Sequence, residues 1–270
     1  MRQRPTASTQ TPAGGQPLTT ACTSDTPMGP PLTCGWLAGK PLPVEEQLAI
    51  DEALLEEAEL GLRQEPTVRT WMADELVVVV GSSSRIETEV DVAACRAAGV
   101  RVVRRPSGGA TVVLGPGCLM WSVITPYPLG VPRVDALHAA TLDPLCRGFA
   151  ATGREVRRQG TSDLAIDDRK VSGNALRVRK RSVLYHGTLL DDFDIEQAMR
   201  LLTHPPREPA YRGQRPHTAF LTNLHLGRER LEQLVREAFA ASATAGACDP
   251  ARVERLLSER YRSAAWNERL

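Results

Sequence analysis

Residues 100–124 read VRVVRRPSGGATVVLGPGCLMWSVI, and this stretch sets the fold class. It contains three apolar runs with strand character, over 100–104, 111–114 and 118–124, separated only by the turns PSGG and GPG. Strands that arrive in groups, with helices between the groups, favour an α+β fold, whereas a doubly wound parallel sheet needs strict alternation of strand and helix. The stretch therefore predicts an α+β protein whose central sheet is mixed or antiparallel.

The segments on either side repeat this pattern of grouped strands with helices between the groups. Apolar residues at helical spacing, with acidic residues early, predict a helix over 44–62. Strands are predicted over 67–72 and 76–80, and the second is apolar at every position, as in a strand buried on both faces. Further helices are predicted over 84–98, 134–152, 195–202, 228–241 and 250–261, further strands over 164–166, 170–175 and 182–190, and a Pro- and Arg-rich loop over 204–217.

Length and charge bound the function. The 270 residues allow one large domain or two small ones. Lys and Arg number 33 against 32 Asp and Glu, and this net charge of +1 argues against a nucleic-acid binder. No apolar run approaches the roughly 20 residues of a membrane helix, and residues 1–16 lack the apolar core of a secretory signal, so we expect a cytoplasmic protein. Residues 1–35, rich in Thr, Pro, Gly and Ser, are predicted to be a disordered tail before a folded domain at 36–270.

The cysteines and histidines predict neither a disulfide framework nor a metal site. The six cysteines are Cys22, Cys34, Cys95, Cys118, Cys146 and Cys248. None forms a C-x-x-C pair, so reduced thiols are expected. The five histidines are equally dispersed and lack metal-ligand spacing.

The strongest local signal is the turn at 104–111, RRPSGGAT. Glycines let a backbone approach a ligand closely and aim its N–H groups at an anion, and Arg105 would add bidentate contacts to a phosphate or carboxylate. The alternative is a strand-connecting turn with solvated arginines. The stretch is neither a P-loop nor the dinucleotide fingerprint G-x-G-x-x-G.

Three further segments carry candidate chemistry. In SDLAIDDRKVSGNA at 162–175, Lys170 enters an apolar strand, where it would hold a developing negative charge; the alternative is an exposed lysine at a hairpin tip. In HGTLL at 186–190, His186 is either a ligand contact or a hydrogen-bonded core residue. The basic run at 177–181 is either a solvated hairpin or a contact for an acidic partner domain.

Taken in order, these segments resemble the lipoate–protein ligase A family, within the superfamily of biotin and lipoate ligases and octanoyltransferases. RRPSGGATVVLGPG, SDLAI, KVSGNAL and HGTLL occur in the family's order and at similar separations. AIDEALL at 49–55 and the closing RYRSAAWNE also resemble it. The resemblance covers about residues 36–270, and it implies the catalytic-domain fold of that superfamily, a mixed or antiparallel sheet flanked by helices.

The resemblance implies a ligase reaction. Lipoic acid and ATP, with Mg²⁺, form lipoyl-adenylate, and the lipoyl group passes to a lysine of a lipoyl carrier domain, such as the glycine cleavage H protein or a 2-oxoacid dehydrogenase E2. Lys170 and Arg105 match catalytic positions, and Asp163 matches an acidic residue near the Mg²⁺. Residues implied in substrate and nucleotide binding are Ser107, Gly108, Gly109, Ala110, Thr111, Val112, Val113, Asp163, Ser172, Gly173, Ala175, His186, Gly187 and Thr188.

The chain departs from the family pattern at both ends of the expected pocket. Ala110 replaces a third glycine, Leu114 a histidine, Gly115 an acid, and Ser162 an asparagine. Many members also continue beyond the position of Trp266 into an accessory domain. We expect no such domain here, so that the enzyme works alone or with a separate accessory protein.

Other functions compete with the ligase. An octanoyl or lipoyl transferase needs a cysteine nucleophile, which in that branch lies just before the position of Asp163; here 159–162 read QGTS, and Cys118 is the one plausible substitute. A non-catalytic protein that binds lipoyl domains has less need of Lys170. Nucleic-acid binding has only the basic run at 177–181 in its favour, and the chain lacks the Gly- and Arg-rich loop of a biotin ligase.

Overall fold

The computed structural model describes residues 34–203 and 208–269, which form a mixed α+β domain. Most of the predicted tail lies outside the described residues, but Cys34 is buried and the first strand begins at Gly35. The strands are β1 (Gly35–Leu37), β2 (Thr67–Met72), β3 (Val77–Val80), β4 (Arg101–Arg104), β5 (Val112–Leu114), β6 (Cys118–Pro126), β7 (Arg157–Gln159), β8 (Asp163–Ile166), β9 (Arg169–Ser172), β10 (Asn174–Val178), β11 (Ser182–Leu190) and β12 (Ala243–Thr244).

Helices lie between the groups of strands. They are α1 (Val44–Glu59), α2 (Ile86–Glu89), α3 (Val92–Ala97), α4 (Val134–Ala150), α5 (Ile195–Met199), α6 (His217–Phe220), α7 (Arg228–Ala238), α8 (Pro250–Leu256) and α9 (Ala264–Asn267). A 3-10 turn spans Ala210–Arg212, and a π-helical turn, Leu257–Tyr261, continues α8. No helix in the described part of the chain is long and apolar enough to cross a membrane.

The central sheet has six strands in the order β10-β11-β6-β2-β1-β12 and is mixed, as predicted. Its spine is the antiparallel pair β6 and β11, in register from Cys118 opposite Leu190 to Pro126 opposite Ser182. Two three-stranded sheets, β4-β3-β5 and β7-β8-β9, accompany it. The apolar run of β3 is buried at all four positions, because β4 and β5 flank it.

Helices cover both faces of the central sheet. Successive side chains of a strand point to opposite faces, and in the long strands both sets include apolar residues. On one face, Leu48 and Leu54 of α1 belong to the same buried cluster as Ile124 and Leu184. On the other face, side chains of α4 and α7 join a second cluster that contains Tyr185. The sheet is therefore a rigid platform for the residues at its edge.

Two predicted elements are divided in the structure. The predicted helix over 84–98 is two short helices, α2 and α3, because Asp91 caps the second by accepting a hydrogen bond from the amide of Ala94 at 2.8 Å. The predicted strand over 170–175 is interrupted at Gly173, where the chain leaves β9 in one sheet and enters β10 in another. The second break places Lys170 beside the end of the central sheet.

Candidate active site

A cavity of about 360 Å³ lies where the turn after β4 meets the start of β10 and the second half of β11. The structure brings most of the predicted site residues to this cavity. Those that line it are Arg105, Gly109, Ala110, Thr111, Val112, Asp163, Lys170, Gly173, Ala175, His186, Gly187 and Thr188. A larger cleft of about 660 Å³ beside α7 holds none of them, so the smaller cavity is the candidate active site.

Four predicted site residues lie outside the cavity wall. Ser107 and Gly108 belong to the turn but bond to Arg105 from behind it. Val113 is buried in β5 opposite Val78. Ser172 is buried, and its hydroxyl lies 3.1 Å from Oδ1 of Asn174. These residues support the wall rather than face into the cavity.

Lys170 is fixed at the cavity by an ion pair. Its Nζ lies 2.9 Å from Oδ1 of Asp163, and the hydroxyl of Tyr211 donates to Oδ2 of the same carboxylate at 2.9 Å. A Cβ on Gly173 would lie 2.9 Å from both Cε and Nζ of Lys170. The lysine side chain therefore occupies space that a side chain at position 173 would need, and this space is open only because residue 173 is glycine.

Arg105 is bonded to the turn at 104–111, here called the glycine turn, and does not project freely into the cavity. Its guanidinium donates to the carbonyl oxygens of Val79 (3.0 Å), Gly108 (2.7 Å) and Ala110 (2.8 Å), and its Nε donates to the hydroxyl of Ser107 (3.1 Å). These bonds occupy four of its five N–H groups. Direct anion binding by Arg105, as the sequence predicts, has one Nη1–H group left for it.

The preceding arginine supports the same turn from below. Arg104 is fully buried and donates to the carbonyls of Gly81 (2.7 Å) and Ser84 (2.8 Å). The loop it holds is in contact with the turn, because the hydroxyl of Ser84 donates to the carbonyl of Gly109 at 3.2 Å. Gly109 has a φ of +89°, which favours glycine at this point.

Two buried positive charges therefore adjoin the glycine turn. Burial lowers the pKa of Arg104, and it lowers the pKa of Arg105 to about 10, so both remain protonated at neutral pH. Within 34–203 and 208–269 no carboxylate forms an ion pair with either one, although Glu89 raises both pKa values from a distance. Buried charge without an opposite charge beside it is costly, and an anion in the cavity would reduce that cost.

Glu89 fixes the far side of the turn. Its carboxylate accepts hydrogen bonds from the amide of Thr111 (2.8 Å) and from the hydroxyl of the same residue (2.7 Å). Thr111 thereby loses its own N–H group as a donor for a ligand. The sequence showed only an early acidic residue in a predicted helix and no sign of this contact.

His186 is neutral and only half satisfied. Its Nε2 lies 2.6 Å from the hydroxyl of Ser107, which already accepts from Arg105 and so has its own proton to give to Nε2. This assignment leaves a proton on Nδ1, which has no hydrogen-bond partner in the described part of the chain. Burial, with a smaller contribution from Arg105, lowers the pKa of His186 to about 3.

Part of the cavity wall is apolar. Leu48 of α1, Val79, Leu114 and Met120 line it. Leu114, the residue that replaces the family's histidine, is fully buried there. The cavity thus suits an acyl chain with a polar head group at Lys170. Sequence reasoning missed Leu48, Val79 and Met120, because their only signal was membership of an apolar helix face or strand.

The cavity offers a metal ion few ligands. Both oxygens of Asp163 are engaged, one by Lys170 and one by Tyr211, and no group of three potential ligands occurs among the described residues. Mg²⁺ prefers to keep several waters and to bind substrate phosphates with one or two carboxylates. An Mg²⁺ ion would therefore need most of its ligands from substrate phosphates, with Asp163 as the predicted protein ligand.

No cysteine of the described residues lines the cavity. Cys118 is fully buried, and burial raises the pKa of its thiol to about 12, so it is protonated at neutral pH. A thiol nucleophile acts as the thiolate. The position just before Asp163, where the transferase branch is expected to carry its cysteine, is occupied by Thr161 and Ser162.

Solved structures with the same architecture are lipoate ligases. An archaeal bipartite lipoate protein ligase of Thermoplasma acidophilum, described with its E2 lipoyl domain, has a TM-score of 0.75 at 19% identity, over 87% of this chain and 96% of that one. A putative lipoate protein ligase from the same organism with bound lipoic acid has 0.75 at 17% identity, over 88% and 100%. A lipoate-protein ligase A bound with ATP has 0.72 at 19% identity, over 87% and 98%. The fold is that of these lipoate protein ligases.

Within that class the chain belongs to the lipoyl protein ligase A/B catalytic domain family, whose model matches residues 43–243. A putative lipoate-protein ligase A of Aeropyrum pernix is 37% identical over 156 residues, 57% of this chain and 56% of that protein. Octanoyltransferase LipM of Symbiobacterium thermophilum is 32% identical over 226 residues, 74% and 81% respectively. The match therefore spans little more than half of the first relative, and the family contains both ligases and transferases.

Proposed function

We propose that this protein is a lipoate–protein ligase that activates lipoate with ATP and transfers the acyl group to a lysine of a lipoyl carrier domain. The observation that carries the proposal is the make-up of the cavity: a wall that is apolar in part, the ammonium of Lys170, and no thiol among the described lining residues. A binding protein has no need of a lysine that is held in place by an ion pair and a glycine.

In the first step, a carboxylate oxygen of lipoate attacks the α-phosphorus of ATP, the acyl-adenylate forms, and pyrophosphate leaves. Two anions must be held close together, and preorganised positive charge lowers the barrier to that approach. We assign the contact with both anions to Lys170. The buried charges of Arg104 and Arg105 raise the potential of the glycine turn, which we assign to the phosphates. Mg²⁺ would enter with ATP and neutralise its phosphates.

In the second step, the neutral amine of a carrier lysine attacks the acyl carbonyl, the amide forms, AMP leaves with the electron pair of the broken anhydride bond, and the proton lost by the amine passes to solvent. The same ammonium of Lys170 stabilises the developing oxyanion. The Thermoplasma ligase is described together with its E2 lipoyl domain, and this pairing supports a lipoyl domain as acceptor. Because ATP is an intracellular substrate, we place the reaction in the cytoplasm.

The second candidate is an octanoyltransferase, favoured by the LipM relative that matches 74% of this chain. That reaction passes through a thioester on a cysteine. We expect Cys118→Ala to keep full acyl-transfer activity, because the thiol is buried, protonated and outside the cavity. Complete loss of transfer in this variant, with its folding temperature preserved, would identify the protein as a transferase.

The deciding experiment measures pyrophosphate release by the purified full-length chain with ATP and Mg²⁺, in the presence and absence of lipoate. Lipoate-dependent release, matched by acyl-adenylate in mass spectrometry, is the expected result. Release that depends on octanoate but not on lipoate would change the substrate and keep the mechanism. No release, together with transfer from an octanoyl-loaded carrier protein, would establish the second candidate. If the chain alone releases no pyrophosphate, candidate accessory proteins are added to the same reaction to test whether one of them is required.

A further inference from the structure

The basic run at 177–181 forms one exposed end of the central sheet. Arg177, Arg179, Lys180 and Arg181, here called the basic hairpin, close β10 onto β11. Lys180 and Arg181 are exposed, and in the described part of the chain neither side chain has an ion-pair partner. Arg179 lies 3.8 Å from Glu52, a carboxylate that also pairs with an arginine of the C-terminal π-helical turn.

Glu59, at the base of the basic hairpin, bonds to its backbone and not to the charged ends of its side chains. Glu59 accepts hydrogen bonds from the backbone amides of Lys180 (3.1 Å) and Arg181 (2.9 Å) and from the hydroxyl of Ser182 (2.7 Å). These contacts fix the turn without pairing the ammonium of Lys180 or the guanidinium of Arg181. The tip is therefore a rigid and positively charged surface.

The outer edge of β10 has no strand partner among the described residues. The amide of Arg179 donates to the carbonyl of Ser182, and the amide of Thr188 donates to the carbonyl of Gly173. The backbone N–H and C=O groups of the odd-numbered residues of β10 therefore point toward β11. The N–H and C=O groups of Leu176 and Val178 point the other way, and no described residue bonds to them. Such an edge pairs readily with a strand of another protein.

One apolar side chain of β10 is exposed beside this edge, since Val178 is 41% exposed. Leu129 is also fully exposed, but it follows β6, which lies on the other side of β11 from β10. The amide of Tyr127 donates to the carbonyl of Arg181 at 2.6 Å, which holds the loop after β6 against the basic hairpin. Unpaired backbone, an exposed valine and positive charge thus occur together along β10.

The edge begins at the cavity. Ala175 lines the cavity, and at about 3.3 Å per residue Val178 lies about 10 Å along the strand from it. A partner of ordinary interface size covers about 800 Å², a disc of about 16 Å radius. A carrier domain centred on the cavity mouth would therefore reach β10.

We propose that the outer edge of β10 and the basic hairpin form the docking surface for the carrier domain, which presents an acidic face and an exposed strand edge. This proposal rests on the proposed acyl transfer to a carrier. Charge steers the encounter and sets the choice of partner, while pairing along β10 fixes the orientation of the acceptor lysine.

The test is charge reversal with two readouts in the full-length chain. The variant is Arg177→Glu with Lys180→Glu, and the control is Arg228→Glu with Arg230→Glu, two basic positions on α7. An E2 lipoyl domain serves as probe, and its Kd is measured by fluorescence anisotropy at several salt concentrations. Pyrophosphate release without carrier is measured in parallel, because the proposed surface has no part in it.

We expect the variant to raise the Kd and the KM for the lipoyl domain at least about tenfold, to flatten their salt dependence, and to leave carrier-independent pyrophosphate release unchanged. The control should match the wild type in all of these. An unchanged Kd in a folded variant overturns the proposal, and the basic hairpin then only protects a strand edge from aggregation. Failure of the proposed function has a different signature, namely wild-type protein that releases no pyrophosphate and transfers no acyl group.

Discussion

Nζ of Lys170 lies 2.9 Å from Oδ1 of Asp163, and neither side chain is more than a quarter exposed. The lysine comes from β9 and the aspartate from the start of the antiparallel strand β8, so the hairpin itself sets their separation. Tyr211 holds the second carboxylate oxygen. The ammonium therefore stands at the cavity before any substrate arrives, and binding an anion requires no large movement of the lysine.

Replacing Lys170 by Ala should abolish acyl transfer and leave the fold intact. Loss of one preorganised donor at a developing negative charge lowers kcat about 100- to 1000-fold, whereas loss of a partly exposed ion pair costs at most about 1 kcal/mol of stability. Single-turnover transfer and the urea midpoint measure the two effects. Lys40→Ala, outside the cavity, is the control. A folded Lys170→Ala variant with full activity would contradict the mechanism.

Gly173→Ala tests the position of the lysine without removing it. The added Cβ would lie 2.9 Å from Cε and Nζ of Lys170, and the flexible end of the side chain, not the backbone, must move. A displacement of about 1 Å in an active site can cost about 100-fold in rate, so we expect kcat to fall about 10- to 100-fold while the melting temperature stays the same. Gly246→Ala, whose Cβ meets nothing within 4 Å, should behave as wild type. Equal losses of kcat in Gly173→Ala and Gly246→Ala would show that Gly173 has no particular part in positioning Lys170.

The sequence predicts the order of helices and strands well where the apolar residues of a segment recur at a regular spacing. The helical spacing after residue 44 predicts α1, and the apolar runs around the glycine turn predict β3 to β6. Prediction fails where long-range pairing decides, as in β1 and β12, which are two or three residues long and pair only with each other and with β2. Tyr211 shows the same limit in the candidate site, since nothing in a Pro- and Arg-rich loop indicates that its hydroxyl bonds to Asp163.

His186 should make the protein less stable in mild acid. Its pKa is lowered to about 3 by burial and by Arg105, so between about pH 6.5 and pH 3 the unfolded chain binds a proton that the folded chain does not. Stability is then full above about pH 6.5 and falls by about 1.4 kcal/mol per pH unit below it, or about 2 kcal/mol at pH 5. His186→Gln lacks this contribution, so its unfolding free energy should change less between about pH 7.5 and pH 5. Parallel pH profiles in urea denaturation would show that His186 titrates normally.

The C-terminal segment is bonded to the strand that leads into the glycine turn. Nε1 of Trp266 donates to the carbonyl of Arg104 at 2.9 Å, and the amide of Arg104 donates to the side chain of Asn267 at 2.9 Å. The guanidinium of Arg269 stacks on the indole ring, 3.7 Å from its centroid. Because Arg104 holds the carbonyls of Gly81 and Ser84 beneath the turn, the end of the chain contributes to the geometry of the cavity.

Trp266→Phe should therefore weaken nucleotide binding at a distance. Phenylalanine keeps a ring for Arg269 but loses the hydrogen bond to Arg104, which costs about 1 kcal/mol of stability. If that bond helps to hold the turn, the KM for ATP rises several-fold while kcat at saturating ATP changes little. Trp36→Phe, whose ring stacks with Arg236 beside the larger cleft, controls for loss of an indole, and KM and kcat come from pyrophosphate release across a range of ATP concentrations. An unchanged KM in Trp266→Phe, with the expected loss of stability, would limit the C-terminal segment to a structural role.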